Sequence, residues 1–480
     1  MDIHHIFAIA ALLASSAGAI AAEPDEIRST LNDQQSVAVT IYNANLALVK
    51  DQRRIKLKSG LNDLALRDVS AQMRPETALL RSLSHPGSIS VLEQNFDFDL
   101  LTPQKLLEKY VGKDVTIIKT NPATGAETAE AATVLSPNNG VVMRVEDHIE
   151  TGMPGRIVYG DMPANLRDRP TLVTKLDNKT AAEQLVELSY LTGGLGWKAD
   201  YVAELNAEEN SVELSGWVTL TNTSGTSYNN AKLQLVAGDV NRVPEGVAVG
   251  AMRKSEAMDG MAANAPMAEE SLLEYHLYTL DRPTTIAENQ TKQVALLYAS
   301  GTPARKELVL HGNNYYYRSS YGDLGQKMKV AVFVEFENNE SSKLGMPLPK
   351  GVIRVYKNDS SGNAQFVGED NIDHTPRNEK VRLKLGVAFD VTADKKQTDF
   401  KILPNPSKGN RLFESAYEIV LKNAKKDAVT VTVQEPIPAD WKILNESQRS
   451  TKATSNTAVW KINVPADGST TLTYRVRVKY

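Results

Sequence analysis

Apolar and polar residues alternate with a period of two through most of this chain. An extended strand with one buried face satisfies that period, and a helix does not. In the last such run Leu472, Tyr474, Val476, Val478 and Tyr480 share one face, while Thr471, Thr473, Arg475, Arg477 and Lys479 share the other. The spacing recurs at Val37, Val39 and Ile41, at Val212, Leu214, Val218 and Leu220, and at Val330, Val332, Val334 and Phe336. It returns at Val381, Leu383 and Leu385 and at Val429, Val431 and Val433. Clusters such as Asn222-Thr223-Ser224-Gly225, Asn358-Asp359-Ser360-Ser361-Gly362 and Asp467-Gly468 punctuate the runs as hairpin and sandwich turns do. The expected fold is all-β: tandem antiparallel β-sandwich and small-barrel domains, a C-terminal immunoglobulin-like sandwich and few short helices.

Other signals divide the chain. Residues 1–22 have the form of a signal peptide, with an apolar run from Ile6 to Leu13 and Ala19-Ile20-Ala21 as a cleavage site, although Asp2, His4 and His5 stand where Lys or Arg is usual. The apolar run is far short of the roughly 20 residues that span a bilayer, and no later segment is long and apolar enough to do so. Export to the periplasm or the medium is the expectation. Residues 23–95 are expected as an N-terminal β domain and 96–165 as a small β-barrel with one short helix. That helix opens at Thr102 as N-cap with Pro103 in first position, buries Leu106, Leu107 and Tyr110, and stops at Gly112. A central β-sandwich is expected over 166–403, interrupted at 244–271 by a mobile insertion rich in Ala, Gly and Met. Pro404-Asn405-Pro406 marks the start of the last domain, 404–480, with Trp441 and Trp460 as core aromatics.

The chain contains no cysteine, which removes disulfides, thiolate metal sites and a cysteine nucleophile. A net charge of -4 gives no electrostatic case for nucleic acid. No H-E-x-x-H, G-x-S-x-G or phosphate-loop motif is present. Gly194-Leu195-Gly196-Trp197-Lys198-Ala199 fits G-x-G-x-x-A, yet the residues after it do not open a helix, so a glycine bend anchored by Trp197 is expected. Glu369, Asp370, Asp373 and His374 lie on one segment and are the candidate ligands for a divalent cation, weighed against a solvated acidic turn. Met252, Met258, Met261 and Met267 could hold Cu(I) or simply populate a flexible loop. Tyr315-Tyr316-Tyr317 with Tyr321 could form a binding platform or pack within a strand, where alternation would bury Tyr316 alone. Trp217 falls on the face opposite Val218 and Leu220, so that it is either covered by a second layer or meets a partner.

Several stretches carry a family resemblance. Gly194-Leu195-Gly196-Trp197-Lys198-Ala199-Asp200-Tyr201, Gly216-Trp217-Val218-Thr219-Leu220-Thr221-Asn222 and Leu233-Gln234-Leu235-Val236-Ala237-Gly238-Asp239 resemble the central domain of the mucoidy inhibitor A-like family of secreted and periplasmic proteins. Gly345-Met346-Pro347-Leu348-Pro349-Lys350-Gly351-Val352-Ile353-Arg354 and Tyr417-Glu418-Ile419-Val420-Leu421-Lys422-Asn423 are similar to it as well. The resemblance implies an all-β envelope protein of unassigned biochemical function and brings no catalytic residue with it. Family members with a long N-terminal coiled coil differ from this chain, whose residues 23–193 hold no sustained heptads. The expected role is a non-enzymatic binding or scaffold protein without cofactor, whose partner is an envelope protein or polysaccharide. The alternative is a carbohydrate-active or metal-assisted hydrolase. Two carboxylates across a deep cleft would favour the hydrolase, and a shallow aromatic surface would favour binding.

Overall fold

A computed structural model describes residues 26–43, 45–153, 155–163, 166–238, 240–241, 267–404 and 411–480. The expected signal peptide at 1–22 lies outside these residues, as do Met252, Met258, Met261 and Asn405-Pro406. Among the described residues there are 30 strands, one α-helix and four short 3-10 turns, so the molecule is mostly β. Among these described strands no sheet closes into a barrel. Two compact units emerge, one from residues up to 36 and 50–190, the other from 37–49 and 191–480.

In the first unit a four-stranded sheet runs in the order Ile27–Ser29, Gly60–Arg67, Thr171–Asn178, Ile89–Asp97. A buried Arg53–Asp51 pair at 2.8 Å lies in this unit, and the Arg53 guanidinium also donates to the Ser29 and Arg67 carbonyls. The stretch 96–165, expected as a barrel, is instead an open five-stranded sheet whose edges are His148–Thr151 and Arg156–Val158. The helix Pro103–Lys109 covers it, burying Leu107 and Tyr110 against Val115, Ile117, Val134 and Met143. Thr102 caps that helix, its Oγ1 accepting from the Lys105 amide at 3.1 Å. One amphipathic helix over the apolar face removes the need for closure, because that face is already out of water.

The second unit is built on one long sheet. Its strand path is Ala364–Ile372, Gly351–Asn358, Leu195–Leu205, Ser211–Asn222, Gln290–His311, Asp323–Asn338, Glu379–Leu403, Leu412–Asn423, Gly468–Lys479 and Asp440–Glu446. The expected antiparallel pairing holds for most neighbours. Parallel pairs also occur, at Leu195–Leu205 with Gly351–Asn358 and at Gln290–His311 with Val429–Pro436. Residues 38–42 pair in parallel with 232–236. Parallel partners need long crossovers, which local periodicity does not report.

Three expectations change here. Residues 267–271 do not belong to a mobile insertion: Met267–Leu272 is a strand paired with Tyr275–Leu280, and Met267 is buried, while 244–266 lie outside the described residues. Asn314–Tyr317 is a 3-10 turn rather than a strand, so Tyr316 and Tyr317 are both buried while Tyr315 and Tyr321 stay exposed. The tail does not form its sandwich alone. Trp460, Tyr417 and Tyr474 share one core with Leu308, Leu310, Val330, Val391 and Ala393, which precede residue 404. Trp441 is only partly buried at its margin.

Candidate binding surface

Alternation along Leu195–Leu205 separates two faces with different chemistry. Leu195, Trp197, Ala199, Tyr201, Ala203 and Leu205 are buried, joined by Val212, Leu214, Val218 and Leu220 from the next strand. The Tyr201 hydroxyl is kept satisfied in this apolar layer by donating to the Pro349 carbonyl at 2.8 Å. Gly216 makes room for the ring, since a Cβ there would stand 3.2 Å from Tyr201 and 2.9 Å from Leu297. The Gly194 bend, with φ of 78°, leads directly into the strand and Trp197 is buried, so the G-x-G-x-x-A match is a turn.

The opposite face is open. Asp200, Lys198 and Glu204 project from the central strand, Ser215, Trp217 and Thr219 from one neighbour, and Arg354 and Tyr356 from the other, as their cross-strand register requires. Asp200 Oδ2 accepts from the Thr219 hydroxyl at 2.8 Å, and Asp200 Oδ1 accepts from Arg354 Nη1 at 3.2 Å. Lys198 Nζ lies 3.5 Å from the same carboxylate. The other side of the Arg354 guanidinium reaches Glu369 Oε2 at 3.2 Å. Burial raises the Asp200 pKa, but the Thr219 and Arg354 hydrogen bonds and the two cations outweigh it and hold the carboxyl below the usual range. Asp200 is thereby kept ionised and is a poor proton donor.

Aromatic rings flank this polar centre. Trp217 stands opposite Asp200 in register and is 41% exposed. Tyr298, opposite Ser215 on the following strand, is 65% exposed. A register shift between Gly216 and Trp217 sets the two rings on adjacent rungs of one face. At the far edge Phe366, 54% exposed, packs edge-on against Tyr356 at 5.7 Å. From Tyr298 to Phe366 the face spans five adjacent strands, giving a platform about 19 Å wide at the usual strand spacing. Among the described residues of its unit no layer covers Trp217, which lies on an exposed sheet face.

The sequence-derived metal candidates are not brought together. Glu369 is engaged by Arg354 on the outer face. Asp370 projects to the other side of the strand, where its carboxylate accepts from the amides of Asn371 and Lys384 at 2.9 and 2.7 Å. Asp373 accepts from the His374 amide at 2.8 Å, and His374 Nδ1 accepts from the Lys350 amide at 3.2 Å. Asp370 and Asp373 thus serve backbone amides, and Glu369 serves an arginine. Among the described residues no group of three or more His, Cys, Asp or Glu side chains is placed to hold a metal ion.

Sequence reasoning missed a second charged constellation. Lys395 and Glu435, both fully buried, pair at 2.6 Å in the C-terminal core. Tyr317 donates to Glu435 Oε2 at 2.8 Å and lies 2.9 Å from the Tyr474 hydroxyl. The Lys395 ammonium rests 4.4 Å from the centre of the Tyr316 ring. Burial pushes the Lys395 pKa down against the pull of Glu435, and it raises Tyr316 to about 12. The available signal was the inward phase of both residues: Lys395 falls in step with Val391 and Ala393, and Glu435 with Val431 and Val433.

Compared with known proteins, residues 186–480 match the model of one family, a domain of unknown function designated DUF4139. No curated protein matches the chain.

Proposed function

The chain belongs to the DUF4139 family, and because the matched region carries the whole outer face around Asp200, we propose that it is a non-enzymatic binding protein whose ligand is a carbohydrate chain. The observation that carries this reading is the exposure of Trp217 and Tyr298 beside a fixed polar centre. An aromatic ring offers an apolar face to the C–H side of a sugar, while neighbouring polar groups hydrogen-bond its hydroxyls. A platform about 19 Å wide suits several sugar units rather than one. Lys198 and Arg354 face Asp200 and Glu369, with Glu204 and Glu213 exposed beyond them on the same side, so the surface repels polyanions and suits a neutral polysaccharide. A hydrolytic reading of this face requires a carboxylic acid that keeps its proton near neutral pH, and the lowered pKa of Asp200 runs against that.

The test is electrophoresis in native gels cast with a neutral glucan or a polyuronate. Retardation by the neutral polymer is expected, reduced roughly tenfold in apparent affinity by Trp217→Ala, a loss of about 1–2 kcal/mol. Equal retardation of the two proteins would sink the assignment of the ligand to this face. A place in the bacterial envelope follows from the signal-like residues 1–22 and from the resemblance to the mucoidy inhibitor A-like family. Protein from the periplasmic fraction should begin at Ala22 or Glu23 by intact mass, and a chain retaining Met1 there would refute cleavage.

A further inference from the structure

One aromatic side chain is displayed more fully than any role in its own unit requires. Phe389 is 96% exposed within the long strand Glu379–Leu403. The pairing of that strand with Asp323–Asn338 explains its position. Lys329 pairs with Thr392 and Ala331 with Val387; between these rungs lies one residue, Val330, on one strand and four, Ala388 to Val391, on the other. The surplus is extruded as a bulge. Its base is fixed, because Val391 is buried and the Asp390 carbonyl accepts from the Ala424 amide at 2.8 Å. A bulge held in this way aims a side chain instead of merely loosening a strand.

Next to the knob is a hole. A cavity of about 160 Å³, open to solvent, is walled by Leu205, Val332, Val334, Leu385 and Val387. An apolar cavity of about 150 Å³ is enough to take a benzene ring, and Phe389, fully exposed, does not fill this one in its own chain. Lys306 and Lys357 stand at the cavity and share a single carboxylate, Glu209, which leaves one positive charge in excess. Asp390, beside the knob, carries the complementary charge.

We infer that this chain self-associates through a twofold contact in which Phe389 of each copy enters the Leu205–Val387 cavity of the other and Asp390 meets the Lys306–Lys357 pair. Val387 lines the cavity and lies two residues from the knob, so a twofold axis passing between them makes both contacts at once. Size and charge match a second copy of the chain itself. The inference is independent of the sugar-binding reading, since Trp217 and Tyr298 take no part in it.

Sedimentation velocity of the full chain over a concentration series tests it, with melting curves to verify that the variants fold. The wild type should show a dimer fraction that rises with concentration. Phe389→Ser removes both knobs of the twofold dimer and should weaken dimerisation by at least about thirtyfold, the loss expected for a single anchoring aromatic. Val387→Trp, at an exposed position, should block the hole to similar effect. An equimolar mixture of the two variants should recover part of the dimer, because a hole from one and a knob from the other still fit. A wild type that stays monomeric at every concentration overturns the inference. So do variants that dimerise like wild type, or a mixture no better associated than its components.

Discussion

Lys395 illustrates how a single residue can cost or stabilise according to its partner. An ammonium with no exposure to water is tolerated in the C-terminal core because Glu435 lies 2.6 Å away and Tyr317 satisfies the second carboxylate oxygen. The backbone yields to the pair as well: a Cβ at residue 312 would come within 2.2 Å of Glu435 Oε2, so that position is glycine. Removing one member of a buried pair leaves the other uncompensated, at a cost of about 3–5 kcal/mol, whereas removing both is much milder. Lys395→Met should therefore lower the unfolding free energy in urea by about that amount, and adding Glu435→Gln should recover most of it. A single variant within about 1 kcal/mol of wild type would show that the pair is not buried as described. At this scale the sequence was only partly legible. The inward phase of Lys395 was visible, but its partner is 40 residues away on another strand, and alternation reports which face a residue takes, not whom it meets there.

Single strands were the most legible feature. Val212, Leu214, Val218 and Leu220 are all buried, as are Val37, Val39 and Ile41, in agreement with the period-two reading. What alternation did not disclose is which strands pair, because pairing is a long-range choice. Gln290–His311 shows why the divisions were hard to see: its residues 290–303 pair with Ser211–Asn222 and its residues 304–309 with Asp323–Asn338, so one continuous strand serves two neighbourhoods. The outer face arises in the same way. Asp200 and Arg354 are 154 residues apart and meet because Leu195–Leu205 and Gly351–Asn358 pair in parallel. That junction depends on Gly351, whose Cβ would lie 2.2 Å from the Ala199 carbonyl oxygen, a backbone atom that cannot swing aside. Gly351→Ala should cost about 1–3 kcal/mol of stability by forcing the two strands apart. It should also weaken polysaccharide retention while Trp217 remains in place. Unchanged stability and unchanged retention would mean that the rung Ala199–Gly351 is not formed.

The two units of the molecule are threaded through each other in sequence, since residues 37–49 belong to the second although both their flanks belong to the first. The family match begins at residue 186 and so omits residues 38–42, which pair with 232–236. Binding is accordingly measured on the full chain. Among its described residues no helix is long and apolar enough to cross a membrane, and the role we propose for the outer face is recognition of a surface-lying ligand. That claim is tested most directly by tryptophan emission. Trp217 is 41% exposed, whereas Trp197 and Trp460 are buried, so a sugar stacked on Trp217 should dry that ring. Titrating the chain with the neutral polysaccharide retained in gels should move the emission to shorter wavelength and reduce quenching by iodide. Both changes should be absent in Trp217→Phe, with the pH well above the lowered pKa of Asp200 so that its contacts to Arg354 and Thr219 are intact. Retention of the polysaccharide with no change in the emission of Trp217, or the same change in the variant that lacks it, would contradict the account.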